Sequence, residues 1–255
     1  MKHLFSPEGD AALAATMALQ PLLAFDFDGT LAPIVARPEE ARVSMAVAWR
    51  LDQLARRLPL AIVSGRSVDD VRGRLSFEPS FIIGNHGAED PLAAPSSAAP
   101  AALDGIRARM HPQLHLLDAA GVTVEDKYHS IALHYRLARD RVLALGVIER
   151  LLDSPGPGVH VFGGKQVVNI VAANAPDKAD AVARLAQRCG ARSVIFIGDD
   201  LNDEPVFARA EPSWLTVRVG RDDPTSQARF CLESSGEVAS MLDRMLGLHE
   251  DPALI

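Results

Sequence analysis

Short apolar runs alternate with amphipathic stretches over the first part of the chain. The run at 22–27, Leu-Leu-Ala-Phe-Asp-Phe, is strand-like and delivers Asp26 and Asp28 to a strand end. Positions 44–57 have helical spacing, with Val47, Leu51 and Leu54 on one face. A second strand is predicted at 60–63. Ser67 can cap a short helix over 68–75, with Asp69 and Asp70 in its first turn, where negative charge is favourable. A third strand, 81–83, runs into Gly-Asn-His-Gly. The alternation predicts parallel strands joined by crossover helices, with ligands beyond the carboxyl ends of the strands. Asp26, Ser64, Asn85 and His86 would gather there.

The pattern then changes. Residues 91–102 are rich in Ala, Pro and Ser and read as a surface loop, with a hinge-like connection as the alternative. A helix is expected over 103–119. Positions 121–136 alternate as one strand, with Ile131, Leu133 and Tyr135 on one face and Ser130, Ala132, His134 and Arg136 on the other. A helix over 139–152, a Ser-Pro-Gly-Pro-Gly turn, and strands at 159–162 and 166–171 complete an insert of about seventy residues. The first series resumes with a helix at 178–189 and a strand at 193–197. A short acidic helix after Asp199, strands at 214–219 and 230–232 and a closing helix at 238–246 follow. The expected fold is α/β: a doubly wound parallel-sheet core, residues 1–102 and 172–255, with an inserted α/β cap domain, residues 103–171.

Composition adds limits. The chain has 255 residues, 48% hydrophobic and 23% charged, with a mean hydropathy of +0.07, as expected of a globular protein with one large core or two smaller ones. No apolar run approaches the ~20 residues of a membrane span, and the first residues do not read as a signal peptide. A cytoplasmic location is the expectation, with no membrane partner. Cys189 and Cys231 lack metal-site spacing and read as buried reduced thiols. The formal charge of −7 argues against nucleic acid as a partner.

The candidate chemistry starts at Asp26 and Asp28. A strand turns residues i and i+2 to one face, and buried like charges cost several kcal/mol unless paired or on a metal. A nucleophilic carboxylate beside a second, proton-shuttling carboxyl, with a divalent cation, would suit them. A polar Asp-Gly turn is the alternative. Asp199, Asp200 and Asp203 end a similar apolar run, and three such acids also suit a helix N-terminus. The two strand ends could meet across neighbouring parallel strands. No Gly-x-x-x-x-Gly-Lys-Ser/Thr loop occurs, and 160–166 reads as a hairpin turn.

Asp26-Phe-Asp28-Gly-Thr30, Ser64 after an apolar run, Lys178 and the Asp199–Asp203 cluster stand in the order of the four motifs of the haloacid dehalogenase superfamily, which the chain resembles. The resemblance implies Asp26 as nucleophile, Asp28 as acid and base, and Thr30, Ser64 and Lys178 as phosphoryl-binding groups, a solvated helix lysine being the alternative for Lys178. It also implies Mg²⁺ held by Asp26, the Asp28 carbonyl and Asp199, with Asp203 in an outer position and Asp200 undecided. Val-Ser-Gly-Arg (63–66), Gly-Asn-His-Gly-Ala-Glu (84–89), Glu-Asp-Lys…His-Tyr-Arg (125–136) and Gly-Asp-Asp-Leu-Asn-Asp-Glu (198–204) together resemble the trehalose-6-phosphate phosphatases. That likeness implies a phosphorylated disaccharide substrate, Glu125 on sugar hydroxyls and Lys127 on the phosphate, and a functional link to a trehalose-6-phosphate synthase. An exposed charge pair is the alternative for Glu125 and Lys127. Arg66, His86, Arg136 and Lys165 are weaker candidates for substrate contact: Arg66 could instead orient loops, His86 cap a turn, and Arg136 be a surface charge.

Three departures stand out. Val167-Val168-Asn169 replaces a Val-Val-Glu-type strand, Lys178-Ala179 a Lys-Gly, and Asn202-Asp203-Glu204 a Thr-Asp-Glu. The first bears on which sugar is bound, and Asn169 is expected on the sugar side of the cap with Glu125. Other sugar phosphatases of this fold, of sucrose-phosphate or mannosyl-phosphoglycerate type, and a catalytically silent sugar-phosphate-binding regulator are the rival readings.

Overall fold

The computed structural model describes residues 1–35, 37–93, 101–221 and 223–250. They divide into two compact units, Met1–Pro91 with Pro176–Ile255, and Leu92–Ala175. The divisions drawn from the sequence lie at 102/103 and 171/172, the second of them inside a strand. Much of the Ala/Pro/Ser stretch, 94–100, lies outside the described residues. No described helix is long and apolar enough to cross a membrane.

The larger unit is built on a seven-stranded parallel sheet of order β1-β11-β10-β9-β2-β3-β4. The strands are β1 (Lys2–His3), β2 (Leu22–Phe25), β3 (Leu60–Val63), β4 (Phe81–Ile83), β9 (Val194–Gly198), β10 (Leu215–Val219) and β11 (Phe230–Leu232). β2, β3 and β9 are apolar at every position because both faces are covered. Leu23, Phe25, Leu60, Ile62, Ile195 and Ile197 feed one core, with the helices Met45–Ala55 and Val238–Glu250. Leu22, Ala24, Ala61, Val63, Val194 and Phe196 feed the other, with the helix Lys178–Cys189. That helix is set by its ends. Asp177 caps it in a reciprocal box with Asp180, and Gly190 closes it in a left-handed turn. Its fully buried Val182 and Leu185 each stabilise it by about 1.5–3 kcal/mol.

The smaller unit carries an antiparallel sheet of order β5-β6-β8-β7: β5 (Thr123–Asp126), β6 (Ser130–His134), β7 (Val159–Gly164) and β8 (Val167–Ala172). Ile131, Leu133 and Ile170 pack on one face in a separate core with Ile106, Leu117 and Ile148.

Three expectations are corrected. The single strand over 121–136 is a hairpin, because the chain reverses at 127–129 with Tyr128 at φ 68°. The helix over 103–119 is broken into Asp104–Met110 and Leu114–Ala119 by a tight turn containing Pro112, whose missing N–H interrupts the α ladder. The N-terminal residues, given no element, form β1 and the helix Pro7–Met17, capped by Ser6 with Pro7 at its first position.

Candidate active site

β2 and β9 are neighbours from which the sheet runs outward in two directions, so their carboxyl ends form a topological switch point, where α/β sheets bind ligands. Asp26 follows β2 directly and its N–H donates to the Ile197 carbonyl at 2.8 Å. Asp199 follows β9. With Asp203, their carboxylate oxygens lie within 4.8 Å of one another, and all three residues are buried. The carboxylates of Asp28 and Asp200 are not in this group. Asp200 caps the turn of residues Leu201–Asp203, accepting from the Leu201 N–H.

Lys178 reaches the cluster from the first turn of its helix and is itself 1% exposed. Its Nζ donates to Asp26 Oδ1 and Asp203 Oδ1, each at 2.6 Å. The other Asp203 oxygen accepts from the N–H groups of Asp199 and Asp200 at 2.9 and 3.0 Å. Asp203 therefore clamps the loop that carries Asp199. Burial drives the Asp26 carboxyl well above its usual range, helped by the nearby charges of Asp203 and Asp199 and opposed by Lys178. Burial would lower Lys178, but Asp203 and Asp26 outweigh it and raise it.

This donor set fits a hard divalent cation. It consists of carboxylate oxygens, without thiol or imidazole, and one ammonium cannot neutralise three carboxylates. The backbone also closes tightly on it. Gly29 has φ +83°, and a Cβ there would sit 2.0 Å from Asp199 Oδ2.

Other sequence-predicted residues gather around the same strand ends. Thr30 is buried, and its Oγ1 has no hydrogen-bond partner among the described residues. Ser64 is buried; its Oγ accepts from the Arg66 N–H at 3.1 Å, which leaves its own O–H to donate. Asn85 and His86 follow β4 in left-handed conformations, φ 49° and 59°. The His86 N–H donates to the Ser64 carbonyl at 2.9 Å, and its ring lies over Gly65, where a Cβ would come within 2.4 Å of Cε1. Asp28 is half-exposed and paired with Arg66.

In the smaller unit, Glu125, Ala132, Asn169 and Phe162 form one row of directly paired residues across the sheet, on the face opposite its core. Asn169 thus shares a face with Glu125. Lys127 lies just beyond β5, 3.3 Å from Glu125, and His134 Nε2 is 3.0 Å from the same carboxylate oxygen. Partial burial would raise Glu125, but the His134 hydrogen bond and the Lys127 charge outweigh it and hold it down at about 2. Lys165 lies in the β7–β8 turn, not on β8, and its carbonyl accepts from Arg136 at 3.2 Å.

Several contributors escaped the sequence reading. Glu89 accepts from Asn85 Nδ2 at 2.7 Å and the Val68 N–H at 3.0 Å, tying the β3 and β4 loops together. Asp70 and Arg74 brace Arg66. The i, i+4, i+8 spacing of Arg66, Asp70 and Arg74 is the signal that could have found them. His134 lay in view as part of the β6 alternation, but its partner on β5 did not.

A doubly covered parallel sheet with an inserted antiparallel-sheet unit is a fold shared with a solved haloacid dehalogenase-like hydrolase. The trehalose-phosphatase family model matches residues 24–234, and the chain belongs to that family. It is 32% identical over 244 residues to the trehalose-phosphate phosphatase of Mycobacterium marinum, covering 89% of this chain and 61% of that protein. It is 36% identical over 245 residues to an uncharacterized glycosyl hydrolase of Mycobacterium tuberculosis, covering 89% of this chain and 18% of that one. The chain thus spans less than two thirds of the length of either relative. The C-terminal domain of C. albicans trehalose-6-phosphate phosphatase shares the fold, with a TM-score of 0.79 at 21% identity over 94% of this chain and 97% of that one.

Proposed function

We propose that this chain is a Mg²⁺-dependent phosphatase that hydrolyses a phosphorylated disaccharide, trehalose 6-phosphate in the first place, through an aspartyl-phosphate on Asp26. The observation that carries the reading is the buried group of Asp26, Asp199 and Asp203 with Lys178 between two of its members. Asp26 is the nucleophile because its carboxylate stands at the strand end beside a fixed ammonium. Asp26, Asp199 and the Asp28 carbonyl would hold the Mg²⁺, and Asp203 keeps Asp199 and Lys178 in place. Bound there, the cation supplies positive charge to the phosphoryl oxygens.

The chain's own groups do the rest. Lys178 donates to Asp26 and opposes the protonation that burial favours. Thr30 and Ser64 offer hydroxyl hydrogen bonds to the phosphoryl group. Asp28 gives a proton to the departing sugar oxygen, then takes one from the attacking water. Glu125 and Asn169 accept from sugar hydroxyls and Lys127 meets the phosphate. Arg136, Lys165 and His86 are secondary candidates for substrate contact. Asn169 is neutral where the family's pattern suggests Glu, which favours weaker hold on the distal sugar and keeps another disaccharide phosphate in play.

Phosphate release from trehalose 6-phosphate, sucrose 6-phosphate and a small aryl phosphate, with Mg²⁺ and with chelator, tests the reading. Mg²⁺-dependent release, fastest on trehalose 6-phosphate, is expected. Faster release from another disaccharide phosphate would move the substrate, and binding without release would leave a sugar-phosphate-binding module.

A further inference from the structure

The Arg66 guanidinium is already engaged. Nε donates to Asp28 Oδ2 at 2.6 Å, and Nη2 donates to Asp28 Oδ1 and to the Pro38 carbonyl, both at 2.8 Å. Nη1 donates to Asp70 Oδ2 at 2.7 Å. A guanidinium has five N–H donors, and four are used here. Asp70 is gripped from its other side by Arg74, through Nε at 2.9 Å and Nη2 at 2.6 Å. Arg74 Nη1 in turn donates to the Glu39 carbonyl at 2.8 Å. The Phe27 ring lies 5.5 Å from the Arg66 guanidinium carbon. The chain Asp28–Arg66–Asp70–Arg74 thus ties the loop after β2 to the helix Val68–Arg72 and to residues 38–41.

We infer that Arg66 is a positioning residue that sets the Asp28 carboxyl for its proton transfers, and that Asp70 and Arg74 hold Arg66 in that service. The inference rests on the phosphatase reading above. A fork of two N–H groups fixes a carboxylate in plane and direction, which a single contact does not. It also leaves lone pairs on both Asp28 oxygens, and the side chain is 41% exposed, so the free edge is open. In the first step an Asp26 oxygen bonds to phosphorus. The bond from phosphorus to the sugar oxygen breaks, its electron pair stays on that oxygen, and the Asp28 proton joins it. In the second step water bonds to phosphorus, its proton passes to Asp28, and the Asp26–phosphorus bond breaks. A sugar oxygen is a poor leaving group and needs that proton, whereas para-nitrophenolate leaves without it.

The test is kcat and KM on trehalose 6-phosphate and para-nitrophenyl phosphate for wild type, Asp28→Asn, Asp70→Asn, Arg66→Lys and the double variant Asp28→Asn/Asp70→Asn. Asp70→Asn should lower kcat on the sugar phosphate by about tenfold, with KM changed by less than about twofold and a smaller loss on the aryl phosphate. It should add nothing once Asp28 is Asn, because the two residues act through one group. Arg66→Lys, which keeps the charge and loses the fork, should show the same leaving-group selectivity. The ratio of the two rates in one preparation does not depend on the folded fraction, so partial unfolding cannot imitate the result. Equal losses on both substrates, a rise in KM alone, or an undiminished Asp70→Asn effect beside Asp28→Asn would overturn the inference while the phosphatase reading stands. A wild-type protein that releases no phosphate from any sugar phosphate with Mg²⁺ would overturn both.

Discussion

The parallel-sheet unit and the antiparallel-sheet unit carry similar charged residues in opposite ways. In the first, Asp26, Asp199, Asp203 and Lys178 are all 5% exposed or less, and each contact is fixed by a strand end, a helix start or a backbone N–H. In the second, Glu125 keeps 49% of its side chain exposed and shares one oxygen between Lys127 and His134. Desolvated charges interact strongly and tolerate no loose geometry, whereas half-exposed ones are screened and can change partners. The first arrangement suits bond making at one atom. In the proposed function the second reads a polyhydroxyl ligand.

Breaking the buried side of this comparison should have the largest effect. Lys178→Met leaves three buried carboxylates facing one another. Urea unfolding of the metal-free protein should show a loss of about 3–5 kcal/mol, the usual result of removing one partner from a buried ion pair. A loss under about 1 kcal/mol would put Lys178 with surface pairs. Gly29→Ala forces a left-handed alanine whose Cβ overlaps the Asp199 carboxylate. Displacement of that carboxylate should cost about a hundredfold in kcat, with a stability loss of only about 1 kcal/mol. Unchanged turnover would show that the loop and Asp199 need not touch.

On the exposed side the effects should be smaller and selective. Glu125→Ala and Lys127→Ala should each lower kcat/KM for the disaccharide phosphate by about tenfold, the scale of one hydrogen bond to a charged group, and leave a small aryl phosphate nearly unaffected. Equal losses on both would assign the pair to the unit's own stability. The smallest effect concerns pH. Glu125 is held at about 2 when folded against 4.5 for the free group, so its contribution is present above about 4.5 and is lost as pH falls toward 2. Glu125→Gln should flatten the dependence of the urea midpoint on pH in that window and lower the midpoint at neutral pH, where the Glu125 contribution is fully present. An identical acid profile in the two proteins would show that His134 and Lys127 do not favour the carboxylate.

How far the sequence could be read follows from the same contrast. β3, β4 and β11 are legible to the residue because strands covered on both faces are uninterrupted apolar runs. The acids at the ends of β2 and β9 are visible as charges closing such runs. The hairpin at 127–129 is not, because Lys127-Tyr128-His129 holds no Gly, Pro, Asn or Asp, and Tyr128 takes the left-handed conformation without a local signal. The helix Pro7–Met17 has its cap and its proline, but an Ala-rich sequence blurs the apolar stripe that would announce it. The role of Asp203 depends on which N–H groups its second oxygen meets, and the grip of Arg66 on Asp28 depends on β2 lying beside β3. Both are products of strand order, which no spacing within one segment contains.

Attack of the Asp26 carboxylate on phosphorus is the step on which the proposed chemistry depends. Acid quenching during turnover of trehalose 6-phosphate with Mg²⁺, followed by peptide mapping, tests it most directly. An acid-stable, base-labile phosphoryl group is expected on Asp26, absent in Asp26→Asn, whose kcat should fall by more than about a hundredfold. A phosphoryl group on another residue, or an Asp26→Asn protein that keeps more than about a hundredth of wild-type kcat, would contradict it.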